Sequence, residues 1–144
     1  MSLQATYDPG NIFARILRGE LPAVKVYEDD AVIAFMDIFP QSRGHLLVIP
    51  KRSSAVNLLD ESPSTLEALI VRVQCIARAV VTALEPDGVR IAQFNGAPAG
   101  QTVFHLHFHV IPIYDDLKLA PHAAGKADMA ELEATAAKIR HALS

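Results

Sequence analysis

Thr102-Val103-Phe104-His105-Leu106-His107-Phe108-His109-Val110-Ile111-Pro112 carries a histidine at every second position over three repeats. Successive side chains of a strand leave on opposite faces, so a strand here puts His105, His107 and His109 on one face. Leu106, Phe108 and Val110 fall on the other. The pattern predicts a strand over 103–114 with neighbouring histidines roughly 6–7 Å apart, since each residue rises about 3.3 Å. The apolar face needs a partner. One is at hand in Leu66, Leu69, Ile70, Val73, Ile76, Val80, Val81 and Leu84, which recur at three and four residues and predict an amphipathic helix over 65–84. Ser62 before Pro63, and Ser64 with Glu67 as a capping box, mark its start. Glu85-Pro86-Asp87-Gly88 closes it.

Working outward, 24–28 and 32–37 read as a hairpin about Asp29-Asp30, 45–50 as a third strand and 89–94 as a fourth. A short helix over 11–19 starts on Asn11, and a last amphipathic helix follows Asp128 with Leu132, Ile139 and Leu143 on one side. Short connections favour antiparallel pairing. The expected fold is therefore α+β: a mostly antiparallel sheet of about five strands packed on one long helix, with short N-terminal and C-terminal helices. Residues 1–10 are expected to form a flexible N-terminal segment, and 11–144 a single domain.

Composition narrows the function classes. The 144 residues hold 13 Lys+Arg against 16 Asp+Glu, a net charge of −3, which argues against a nucleic-acid partner. Hydrophobic residues make up 51%, too many for a disordered chain. No apolar run approaches the roughly 18 residues that span a bilayer, so no membrane association is expected. The N-terminus lacks the pattern of a signal peptide. One cysteine excludes an internal disulfide and any Cys-rich zinc module, and the expected setting is the reducing cytoplasm. Cys75 reads as a small buried apolar residue of the long helix, His122 and His141 as surface residues, and Lys51-Arg52 as a solvated turn.

The histidine row itself admits three readings: half-satisfied strand histidines, ligands to a zinc ion, or a nucleophilic histidine with two helpers. The loop before it, Asn95-Gly96-Ala97-Pro98-Ala99-Gly100-Gln101, favours the last. Its glycines, the Gln101 amide and the Thr102 hydroxyl offer groups suited to phosphate oxygens.

The elements Asn95-Gly96, Gly100-Gln101-Thr102-Val103-Phe104 and His105-Leu106-His107-Phe108-His109 resemble the signature of the histidine triad (HIT) nucleotide hydrolases. So do Ile12-Phe13, Glu20-Leu21-Pro22, Glu28-Asp29-Asp30, Ala34-Phe35-Met36-Asp37-Ile38 and Gly44-His45-Leu46-Leu47-Val48-Ile49-Pro50-Lys51. The resemblance implies a HIT-like fold, a homodimer, and a Hint-like enzyme. Such an enzyme cleaves purine nucleoside phosphoramidates, or similar nucleotidyl conjugates, at the α-phosphorus. It implies His107 as nucleophile, His109 at the phosphate and leaving group, and His105 and His45 as supports. Thr102, Asn95, Gly100 and Gln101 then serve the phosphate, Asp37 the ribose hydroxyls, and Ile12, Phe13, Ile16, Phe35 and Ile38 the purine. The scheme asks for no cofactor and no metal. A dinucleoside polyphosphate hydrolase and a nucleotide-binding regulatory protein with incidental turnover are the alternative readings. Many relatives join Cys-x-x-Cys to two histidines around a structural zinc; the matching positions here are Asn11 and Ala14, so no zinc is expected. His109 stands where the transferase branch has Gln, which favours hydrolysis. The segment 119–144 lacks the Trp-containing tail of the phosphoramidase branch.

Overall fold

The computed structural model describes residue 3, residues 5–120 and residues 125–144. Helix α1 (Ile12–Leu17) starts where Asn11 turns its side-chain oxygen onto the Ala14 amide at 2.9 Å. It ends at Gly19, whose φ of 78° only glycine adopts freely. Strands β1 (Lys25–Glu28) and β2 (Val32–Met36) are joined by a turn in which the Asp29 carboxylate accepts the amides of Ala31 and Val32. Then come β3 (Leu46–Pro50), α2 (Pro63–Leu84), β4 (Gly88–Ala92), β5 (Phe108–Ile113) and α3 (Met129–Leu143). Helix α2 begins two residues before the periodicity does, because Ser62 rather than Ser64 is its cap: its hydroxyl accepts the Thr65 amide. Asp128 caps α3 as expected.

The five strands form one antiparallel sheet in the order β1-β2-β3-β5-β4. Both of its faces are covered, so β2 and β3 are buried at every position and show no polar alternation. Val32, Ala34, Met36, Leu46, Val48, Phe108 and Val110 pack against Leu69, Val73, Ile76 and Val80 of α2 and Leu132 and Ile139 of α3. Ile33, Phe35, Leu47 and Ile49 face the other way and pack on Phe13 of α1. Each such Val, Leu or Ile contributes about 1.5–3 kcal/mol by leaving water, more than any surface ion pair here. The functional site lies on the α1 side. Gly44 leads the chain into β3 with φ of 93°, and a side chain there would collide with Leu84 and Pro112.

The histidine stretch differs from its expected form. Strand β5 starts at Phe108, so only His109 belongs to the sheet; residues 103–107 lie outside any ladder, and the chain bends over 103–105. The pairing of β3 with β5 ends at Val48 and Phe108, and Pro50 has no N–H with which to continue it. Pro50 offers its carbonyl instead to the ring of His105, at 3.2 Å. The alternation still holds in effect, since Leu106, Phe108 and Val110 all reach the core beside α2. Strand β4 likewise stops at Ala92, before the expected end at 94. Cys75 is exposed, not buried: Val73 and Ile76 take the core side of α2. Lys51 and Arg52 are tied down, Lys51 to Glu28 at 2.7 Å and Arg52 to the Asp30 carbonyl at 3.2 Å. His141 is exposed on α3, and His122 lies outside the described residues. Among the described residues no helix is long and apolar enough to cross a membrane.

One ion pair fastens the β1–β2 turn to α2. Burial pushes the Asp29 carboxyl up. Bonds from the Tyr27 hydroxyl (2.7 Å), the Arg72 guanidinium (2.6 Å) and the Val32 and Ala31 amides outweigh burial and hold it well below the usual carboxylate range. A group depressed on folding stabilises fully above its unfolded pKa of about 3.9 and loses that contribution as pH falls through the folded value. Asp29→Asn is therefore expected to cost about 1–2 kcal/mol at pH 7 and progressively less below pH 4, read from urea midpoints at several pH values.

Candidate active site

A cavity of about 230 Å³ opens on the α1 side of the sheet. Ile12, Phe13 and Ile16 of α1 form one wall, Phe35 and Leu47 the floor, and Ile38 and Phe39 the other wall. Pro22, Ala23, Met36 and Val103 complete the apolar lining. Its polar groups are few: Asp37, Thr102, His107 and His109. An apolar slot with convergent polar groups at one end suits a flat ring joined to something charged.

The hydrogen bonds assign the protons on these rings. His107 Nδ1 lies 2.7 Å from the His105 carbonyl oxygen, which only accepts, so Nδ1 carries the proton. In the neutral ring the lone pair is then on Nε2. His45 shows the opposite arrangement. The Gln41 amide donates to its Nδ1 at 3.0 Å, so its proton sits on Nε2. That Nε2–H meets His109 Nδ1 at 2.9 Å, with Asp37 Oδ2 at 3.5 Å. His109 Nδ1 is thereby an acceptor, and the proton of His109 is on Nε2. The two histidines of the cavity thus come out complementary, one with a lone pair on Nε2 and one with a proton there. Their ring centroids are 5.0 Å apart. His105 and His45 are fully buried behind them. Burial lowers the pKa of His105 and keeps it neutral.

Sequence and structure place the other candidates as follows. Ile12, Phe13, Ile16, Phe35, Ile38, Asp37 and Thr102 all line the cavity. Asp37, 8% exposed, is oriented by the Phe39 amide on its Oδ1 at 2.8 Å. Asn95, Gly100 and Gln101 do not line it. Gln101 is buried, with its carbonyl oxygen on the Gly96 amide (2.8 Å) and its amide nitrogen on the Val56 and Val103 carbonyls. Asn95 accepts the Leu58 amide and pairs with Gln93. Gly100 turns with φ of 109° against the Phe94 ring. These three shape the loop that presents Thr102. The sequence reading missed Pro22, Ala23, Met36, Phe39, Leu47 and Val103, whose apolar character marks core and pocket alike. It also missed the Gln41 amide, a backbone group with no side-chain signature.

Among the described residues two places could be asked to hold a metal, and neither fits. At the position of the relatives' Cys-x-x-Cys, Asn11 caps α1 and Ala14 is buried, so no thiolate is offered. Asp37, His45 and His109 do bring three ligand atoms within 4.8 Å. A cation there would need the lone pair of His45 Nε2, and that atom carries the proton because Nδ1 already faces an amide donor.

The chain's relatives share this architecture. A crystal structure of a Hit-like protein involved in cell-cycle regulation from Bartonella henselae, with an unknown ligand, is 52% identical. It superposes with a TM-score of 0.91, over 96% of this chain and all of the other. A zinc-bound histidine triad family protein from Mycobacterium smegmatis is 38% identical, with a TM-score of 0.81 over 93% of each chain. Adenylylsulfatase HINT3 of Arabidopsis thaliana is 42% identical over 101 residues, 70% of this chain and 51% of its own length. The HIT domain family model matches residues 18–116, from the end of α1 past β5 and through every element that builds the histidine pair. The chain belongs to the HIT family.

Proposed function

We propose that this protein hydrolyses purine nucleoside phosphoramidates, or related nucleotidyl conjugates, at the α-phosphorus through a covalent nucleotidyl-His107. The observation that carries the reading is the 2.7 Å bond from His107 Nδ1–H to the His105 carbonyl, which places the lone pair on Nε2 of a ring lining the cavity. His107 Nε2 attacks the α-phosphorus. The P–N bond to the leaving amine breaks, and the amine takes the Nε2 proton of a His109 imidazolium, whose second proton comes from solvent and is offset by the neighbouring Asp37 carboxylate, so that His109 is left neutral. Water then attacks the nucleotidyl-histidine, His109 recovers a proton from it, the P–Nε2 bond breaks, and a nucleoside monophosphate leaves. Asp37 accepts the ribose hydroxyls, Thr102 stands beside the phosphate, and the apolar slot takes the base. The name of the Arabidopsis relative, an adenylylsulfatase, supports a nucleotidyl conjugate as the class of substrate. We place the enzyme in the cytoplasm as a homodimer. Ile70, Val81 and Ile91, exposed along α2 and β4, form an apolar groove that a second copy would cover.

The test compares adenosine phosphoramidate with a diadenosine polyphosphate, chelator present. Faster cleavage of the phosphoramidate supports the reading, and preference for the dinucleotide points to a polyphosphate hydrolase. Cleavage of neither leaves a nucleotide-binding regulatory role. Asp37→Ala is expected to lower kcat/KM for the ribonucleotide by about 10–100-fold and to leave the 2′-deoxyribonucleotide nearly unchanged, because charge-assisted bonds contribute about 1.5–3 kcal/mol. Equal losses for both sugars would remove Asp37 from ribose recognition.

A further inference from the structure

The carbonyl that orients His107 belongs to residue 105, in a stretch no strand ladder holds. What holds it is local. The Leu106 amide donates to the Ala55 carbonyl at 3.0 Å, and the His105 ring is pinned at both nitrogens. Its Nε2 faces the Pro50 carbonyl at 3.2 Å and must carry the proton; its Nδ1 is then a lone pair, and the Tyr7 hydroxyl meets it at 2.8 Å. Tyr7 is therefore the donor. It is half-buried, lies ahead of the segment matched by the family model, and comes from the stretch expected to be flexible. The ring it holds is fully buried, so nothing in bulk solvent substitutes readily for the hydroxyl.

We propose that Tyr7 is a positioning residue for the nucleophile: its hydroxyl locks His105 in the Nε2–H tautomer, and through the His105 carbonyl it fixes the imidazole of His107. The kinetic part of this rests on His107 acting as proposed above; the geometric part does not. Tyr7→Phe keeps the ring that packs against His105, with centroids 5.7 Å apart, and removes only the donor.

The experiment measures adenosine phosphoramidate kinetics on Tyr7→Phe beside wild type, together with 15N spectra of the histidine side chains. The expected result is a kcat about five- to tenfold lower with KM within about twofold, the size of one lost hydrogen bond acting through a neighbour. The His107 Nδ1–H should also exchange with solvent at least about fivefold faster, and the His105 Nδ1 resonance should shift. A kcat within about twofold of wild type, a loss carried by KM, or unchanged histidine resonances would overturn the proposal. If wild type cleaves no conjugate at all, the functional reading falls, and the spectra alone decide whether Tyr7 fixes the two histidines.

Discussion

Replacing His107 with asparagine is expected to lower phosphoramidate hydrolysis by at least about 10⁴-fold while leaving nucleotide affinity within about threefold. The size follows from what is lost: without Nε2 there is no covalent route, and water must attack the phosphorus directly. Binding survives because the contacts that hold a nucleotide lie elsewhere, in the apolar slot and at Asp37. Asparagine keeps a donor near the His105 carbonyl, so the loop should hold its place. Isothermal titration with AMP and a discontinuous assay for released monophosphate read the two quantities separately. A variant that binds AMP and still turns over within tenfold of wild type would take the nucleophile away from His107.

His109→Gln is expected to act through the leaving group. The Gln41–His45–His109 chain puts the proton of His109 on Nε2 and makes it a donor toward the departing atom. An amine leaves as a neutral species only after gaining a proton, so loss of this acid should cost about 10²–10⁴-fold on phosphoramidates. A nucleoside p-nitrophenyl phosphate, whose phenolate leaves without help, should lose less than about tenfold. Equal losses on both substrates would assign His109 to binding the phosphate rather than to proton transfer. His45→Ala should reproduce part of the same pattern, because it removes the donor that fixes the tautomer of His109.

Much of the fold is legible in the sequence. Helix α2 announces itself through twenty residues of periodicity and a Ser-Pro start, and β2 and β3 through apolar runs buried on both faces. The histidine row reads as one strand because its histidines and apolar residues alternate, but Pro50 ends the ladder five residues short of that reading and the chain bends over 103–105. Cys75 reads as core because it neighbours Ile76 in sequence, yet one residue along a helix is a turn of about 100°, enough to leave the buried face. Gln101 and Asn95 have the chemistry for phosphate, and the fold spends that chemistry on its own backbone. No sequence period could show that Tyr7 meets His105 or that His45 meets His109, contacts 98 and 64 residues apart. Those pairings decide which nitrogen carries which proton.

The central claim is the covalent step, and a single turnover tests it most directly. Enzyme in excess over adenosine phosphoramidate is mixed, quenched on the millisecond scale, and weighed intact. The account predicts a transient species heavier by one adenylyl group, located on His107 by peptide mapping, formed and lost at rates that match product release, and absent from His107→Asn. Product appearing with no adduct at any time, or an adduct on another residue, would contradict it.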